Sequence, residues 1–208
     1  MTTKIIFIGD GFSVNEKRHL SSAIVKTARK SAKLLDIKNK TVYFTVYRFN
    51  RWKTNGGFTK AKDWIEVTIP RGKIDYKNLE RMLYHEMHHI ARVYCGMLEK
   101  GKHVLLNSIF SEGLATAFEV EQVPSILPKH AKYTRLLVKM WLPRMAKEFS
   151  STKYSSPEWF YGLNGKPPRL GYKIGKYLVD EIIRRNPSQT PATLARLDAK
   201  KLLKMSGY

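Results

Sequence analysis

Apolar positions along this chain keep two different periods, and the change between them falls near residue 76. Lys4 to Ile8 is a short apolar run and predicts a buried strand. Ser13-Val14-Asn15-Glu16 carries a capping-box pattern, with a serine three residues ahead of a glutamate. Leu20, Ile24, Ala28 and Leu35 then recur at near-helical spacing, so a helix is expected over about 14–35. Val42 to Phe49 is rich in β-branched and aromatic residues and predicts a strand with two usable faces. Asn55-Gly56-Gly57 is a turn signal. From Asp63 to Ile69, Ile65, Val67 and Ile69 alternate with Trp64, Glu66 and Thr68, which predicts a strand with one buried face, ended by Pro70-Arg71-Gly72.

From about Tyr76 the period is helical. Leu79, Leu83, Glu86, Ile90, Val93 and Met97 fall on one stripe, and Gly96 is placed to stop or kink the helix. A carboxylate inside an apolar stripe is a misfit that needs a reason. A second helix is expected over about 104–120, with Phe110, Leu114 and Phe118 at successive turns. Pro128 to Phe149 reads as a third helical stretch carrying Leu136, Leu137, Met140 and Trp141. Polar loops follow at 150–157 and 164–168. Gly171 to Arg185 reads as a helix, and a short helix from about Pro191 closes the chain. Strand, helix, strand, strand and then helices describe an α+β fold, with a small N-terminal sheet and a mainly helical C-terminal half. At 208 residues the chain is expected to form a single domain, sheet-containing over about 1–100 and helical over about 101–208.

Composition narrows the class. No apolar run approaches the ~20 residues of a membrane span, and the N-terminal apolar run is too short for a secretion signal. Cys95 is the only cysteine, so an intrachain disulfide is excluded and a cytoplasmic setting is expected. Cys95 itself reads as a small buried hydrophobe. The net charge is +21 and is spread over both halves of the chain. Such a charge is either a solvated basic surface with no dedicated partner or one that draws in anionic partners, acidic peptides or nucleic acid.

The chemistry concentrates in His85-Glu86-Met87-His88-His89, an H-E-x-x-H. On a helix His85 and His89 stand one turn apart, separated by ~6 Å of rise, and project from one face. Two imidazole nitrogens can then converge on one zinc ion at ~2.0–2.1 Å. Glu86 is offset by ~100° and suits a general base acting on a metal-activated water. A catalytic zinc needs a third protein ligand. Glu112, in Ser111-Glu112-Gly113-Leu114-Ala115, is the candidate, and the small Gly113 and Ala115 suit close packing on the His85–His89 helix. H-E-x-x-H also arises on ordinary surface helices; the apolar setting and the downstream glutamate set this one apart. His88 is a second-sphere or packing residue, or a competing ligand. Glu119 either orients a ligand or is structural. His19, His103 and His130 stand alone, without ligand spacing.

H-E-M-H-H followed by S-E-G-L-A-T-A-F-E resembles the gluzincin metallopeptidases. In their zinc aminopeptidase branch the glutamate of N-E-G-F-A is the third zinc ligand, and Glu112 stands in the matching place. The spacing from the second histidine is longer here than in the aminopeptidases. A closer resemblance is to predicted zinc-dependent proteases, small bacterial and phage-type proteins that combine H-E-x-H-H, E-G-L-A and a late G-Y-x-x-G. Gly171-Tyr172-Lys173-Ile174-Gly175 is similar to that last element. The resemblance covers roughly 79–120 and 170–180. It implies a zincin-like fold, one Zn2+ per chain held by His85, His89 and Glu112, and hydrolysis of a peptide or protein with Glu86 as general base. It implies Tyr172 as the donor to the oxyanion, with Tyr161 as an alternative. It also implies an edge strand that pairs with substrate, for which residues 63–69 are the candidate. The competing reading is a basic nucleic-acid-associated protein, either a protease of DNA-bound proteins or a non-catalytic binder. A structural zinc site is normally rich in cysteine, and this chain has one.

Overall fold

The structure, a computed structural model, describes residues 1–49, 55–94 and 104–208. Contacts divide the chain into two compact units, residues 1–94 and 95–208. Met97, Gly96, Cys95 and His103, on which expectations were placed, lie outside the described residues.

The first unit opens with β1 (Thr2–Ile8), α1 (Val14–Leu34) and β2 (Thr41–Phe49). The capping box forms: the Glu16 N–H donates to Ser13 Oγ at 3.2 Å, and the Ser13 N–H donates to Glu16 Oε2 at 2.8 Å. The Glu16 carboxylate also pairs with Arg48 of β2, and Arg48 Nη1 donates to the Pro70 carbonyl at 2.6 Å. These bonds tie the start of α1 to the sheet. Leu20, Ile24 and Ala28 are fully buried along the core face of α1, as their spacing requires.

Two further strands complete the sheet, β3 (Gly56–Ala61) and β4 (Trp64–Pro70), in the order β1-β2-β4-β3. β1 and β4 run parallel to β2, and β3 runs antiparallel to β4. Two expectations fail here. Asn55-Gly56-Gly57 is not simply a turn, because both glycines belong to β3. Nor is β1 buried. It is the terminal strand, no residue of it is fully covered, and Ile6 and Ile8 are 49% and 52% exposed. An end strand has one neighbour and one well-covered face, so five apolar-leaning residues did not amount to a core strand.

Register explains which side chains share a face. Phe44 pairs with Ile65 and Val46 with Val67, while Thr59 pairs with Ile65 and Gly57 with Val67. Gly57 and Thr59 therefore lie on the apolar face of the sheet. α2 (Tyr76–Tyr94) packs against β3 and α1. Asp75 caps it, accepting from the Asn78 N–H at 3.0 Å. Asn55 Nδ2 donates to the Asp75 carbonyl at 2.7 Å and joins the entrance of β3 to the entrance of α2. Leu79, Leu83 and Ile90 are fully buried, and Met82 to His88 is buried without interruption.

The second unit is helical. α3 (Leu105–Gln122) is followed by a 3-10 turn (Lys129–Ala131) and α4 (Arg135–Ala146). A single π-helical turn (Pro157–Tyr161) then leads to α5 (Leu170–Arg185), α6 (Pro191–Leu194) and α7 (Ala199–Ser206). The stretch from Pro128 to Phe149 is thus broken, not one helix. Thr134 caps α4 by accepting from the Leu137 N–H at 3.1 Å. The core face of α4 is Val138, Leu142 and Met145, whereas Leu136 and Met140 are exposed. α3 and α5 form the centre of this unit. A Cβ on Gly175 would stand 2.2 Å from the Ile109 carbonyl oxygen and 2.9 Å from the Gly113 Cα. The two helices meet backbone to backbone, so Gly113 serves the contact with α5. Around it Phe110, Leu114, Ile174 and Leu178 are fully buried.

The architecture is α+β, with a small four-stranded mixed sheet and a mainly helical remainder. Helix-interior Gly→Ala usually stabilises by about 1 kcal/mol. Here the sign should reverse: Gly175→Ala is expected to cost about 1–3 kcal/mol, seen as a fall in Tm of about 2–4 °C per kcal/mol.

A pH test addresses Glu16. Its carboxyl is held below the ordinary value, first by the Ser13 backbone N–H and then by Arg48. That contribution is present above the unfolded carboxylate range and is lost as pH falls through the lowered value. Glu16→Gln should lack this portion of the acid dependence in urea denaturations run across the acid range.

Candidate metal centre and catalytic residues

All five residues of the H-E-x-x-H motif lie in the interior of α2. His85 Nε2 and His89 Nε2 are 3.1 Å apart, and the rings meet edge to face with centroids 4.8 Å apart. Two ligand nitrogens on one tetrahedral zinc are ~3.3 Å apart, from Zn–N bonds of ~2.05 Å. The pair fits such an ion without rearrangement of the helix. His85 is buried and His89 half-buried, so the two nitrogens converge at the margin of the core. His88 is fully buried and packs inside.

Glu86 is 6% exposed, and β3 accounts for how it is held. The Thr59 hydroxyl donates to Glu86 Oε2 at 2.8 Å and stands 3.2 Å from the Glu86 carbonyl oxygen. A Cβ on Gly57 would come within 2.7 Å of Glu86 Cγ and 2.2 Å of Met82 Sδ. Glycine there lets the strand approach α2 closely enough for the Thr59 hydroxyl to reach the carboxylate. The sequence reading missed both residues. Their signal was a glycine followed two positions later by a threonine, which share a face in a strand.

The sheet order corrects another expectation. β4, residues 64–70, lies between β2 and β3, and the strand at the end of the sheet beside α2 is β3.

Glu112 and Tyr172 belong to the second unit. From Ile109 to Glu119 every residue of α3 is buried except Glu112, which is half-buried. Tyr172 lies in the first turn of α5, one turn before the Gly175 crossing. Gly171, beside it, has no room for a Cβ, which would stand 2.4 Å from the Phe160 ring. The Phe160 ring meets Tyr172 edge to face at 5.6 Å, and the Arg169 guanidinium lies 5.5 Å from the Tyr172 centroid. Arg169 takes a left-handed φ of 61° to begin the helix. Tyr161, the alternative, is 60% exposed at the end of the π turn.

His130 does not stand alone, contrary to its reading in the sequence. Its Nε2–H donates to Glu119 Oε1 at 2.5 Å, and its ring lies 5.3 Å from that of Tyr172. Glu119 is 1% exposed. No spacing rule joins positions 119, 130 and 172; the packing of the 3-10 turn on α3 and α5 does so.

Residues 20–204 match the model of a family described as a predicted Zn-dependent protease (DUF2268). The chain belongs to that family. Zinc is the family's cofactor by this description, and the His85–His89 geometry suits it. No curated protein matches the chain. Among solved structures, an aminopeptidase N family protein from Idiomarina loihiensis is similar in fold, with a TM-score of 0.57 and 15% identity. The match covers 97% of this chain and 38% of that one, so this family member spans well under half of its structural neighbour. No described helix is long and apolar enough to cross a membrane.

Thr59→Val removes the hydroxyl from a buried carboxylate without changing the side chain's shape. The expected loss is about 1–3 kcal/mol of unfolding free energy in urea, with the circular dichroism spectrum retained.

Proposed function

We propose that this chain is a zinc endopeptidase in which His85, His89 and Glu112 hold one Zn2+ within one zincin-like domain. The observation that carries the reading is the 3.1 Å separation of the two Nε2 atoms, with a buried glutamate beside them held by Thr59. A zinc ion, when bound, supplies a Lewis acid that polarises a water and the scissile carbonyl. Glu86 is the general base: its carboxylate accepts the water's proton and passes it to the leaving amine. The Thr59 hydroxyl fixes one carboxylate oxygen and leaves the other to receive the proton. The Tyr172 phenol donates to the carbonyl oxygen as negative charge develops there. The outer edge of β3, the end strand of the described sheet, pairs with an extended substrate backbone. A net charge of +21 favours acidic peptides as substrates. Endopeptidase action is preferred because the sequence offers no recognisable acidic anchor for a free amino terminus.

Elemental analysis after dialysis against a mild chelator is expected to find about one zinc per chain in the wild type and clear loss in Glu112→Ala. Glu86→Gln should keep its zinc and lose hydrolysis by roughly 10²–10⁴-fold. A wild-type chain that takes up no zinc on reloading would overturn the reading. Unchanged hydrolysis in Glu86→Gln would remove the mechanism.

A further inference from the structure

Tyr172 is confined on several sides, and one neighbour differs in kind from the others. Phe160 and Arg169 are close to it in the chain and belong to the entry into α5. His130 comes from a 3-10 turn 42 positions earlier and is itself anchored. Glu119 Oε1 accepts from its Nε2–H at 2.5 Å, and Glu119 is 1% exposed. Burying a carboxylate is costly unless a donor compensates it. An apolar pair at these positions would pack the turn onto α3 without that cost. The turn has further supports of its own. Ala131 is buried, and Tyr133 Oη donates to Asp180 Oδ2 on α5 at 2.6 Å. Attaching residues 129–133 to the second unit therefore does not depend on Glu119 and His130. The pair holds a fixed imidazole plane against the ring of Tyr172, centroids 5.3 Å apart and tilted by 56°.

We propose that His130, clamped by Glu119, is a positioning residue that sets the direction of the Tyr172 phenol. The inference rests on the peptidase reading, in which that phenol meets the reacting carbonyl. Glu119 acts through His130, and His130 acts through Tyr172. A misplacement of the donor by about 1 Å is enough to cost about 100-fold in rate, because the hydrogen bond must strengthen as charge develops.

The test uses the full-length zinc-loaded chain and two readouts. In protein labelled with carbon-13 tyrosine, the Tyr172 ring signal is identified by its absence from Tyr172→Phe. It should shift in both His130→Ala and Glu119→Gln. Glu119→Gln keeps the side chain's shape and guards against simple misfolding. A Tyr172 signal unmoved in both variants overturns the proposal. In peptide hydrolysis, His130→Ala should lower kcat about 10- to 100-fold and leave KM within about twofold. In the Tyr172→Phe background it should cost nothing further, because the residue it positions is already disabled. Multiplying losses would show that His130 acts independently of Tyr172 and overturn the proposal. If wild type and Glu86→Gln alike cleave no peptide, the peptidase reading fails, and the tyrosine signal alone decides whether His130 sets the ring.

Discussion

A carboxylate on the apolar face of a buried helix must be compensated where it stands, and much of the first unit follows from that requirement. Glu86 lies within a run buried from Met82 to His88, so solvent supplies little of what its charge needs. Thr59 provides a hydroxyl at 2.8 Å. That hydroxyl arrives only because Gly57 lets the strand come within contact of Met82 and Glu86. The strand is held in register by β4 and at its entrance by Asn55, whose amide bonds to the residue that caps α2. Sheet, strand entrance and helix cap thus converge on one side chain. The histidines need less arrangement, since one turn of helix already brings their nitrogens to a shared point.

The second unit solves a different problem. It carries one half-buried glutamate on α3 and one tyrosine in the first turn of α5. Gly113 and Gly175 remove side chains from the crossing of these helices, so that the backbones set the distance. Glu112 precedes the first glycine, and Tyr172 stands one turn before the second. The Gly-Tyr-x-x-Gly segment is mostly a packing device: Gly171 admits Phe160, Gly175 admits α3, and the tyrosine between them is left in the first turn of its helix.

The main elements were legible because their signals are local. The capping box located the start of α1, alternation located β4, and the apolar stripe with one misplaced glutamate located α2. The placement of His85 and His89 one turn apart on α2 was legible for the same reason. What the sequence hid was non-local. Gly56-Gly57 looks like a turn until β4 is known to lie beside it. The run at 4–8 looks buried until it proves to be the last strand of its sheet. Leu136 and Met140 look like a core stripe until Thr134 is seen to cap a short helix whose other face packs inward. His130 looked solitary because its partners are 11 and 42 positions away. Such relations arise from tertiary packing, and no period or spacing records them.

The glycine crossing also bears on how such a chain tolerates change in length. Helices locked by backbone contact keep their spacing whatever joins them, provided the joining segment can span the gap. The exposed tips at 152–153 and 163–165 are therefore open to insertion or deletion, because their length sets neither Glu112 nor Tyr172. Loop closure adds little, since doubling a flexible loop costs only about 0.6 kcal/mol. Size variation among chains of this architecture should gather in those stretches. The short interval between Glu112 and Gly113, or between Tyr172 and Gly175, admits none, because one added residue would rotate the side chain by ~100° around its helix.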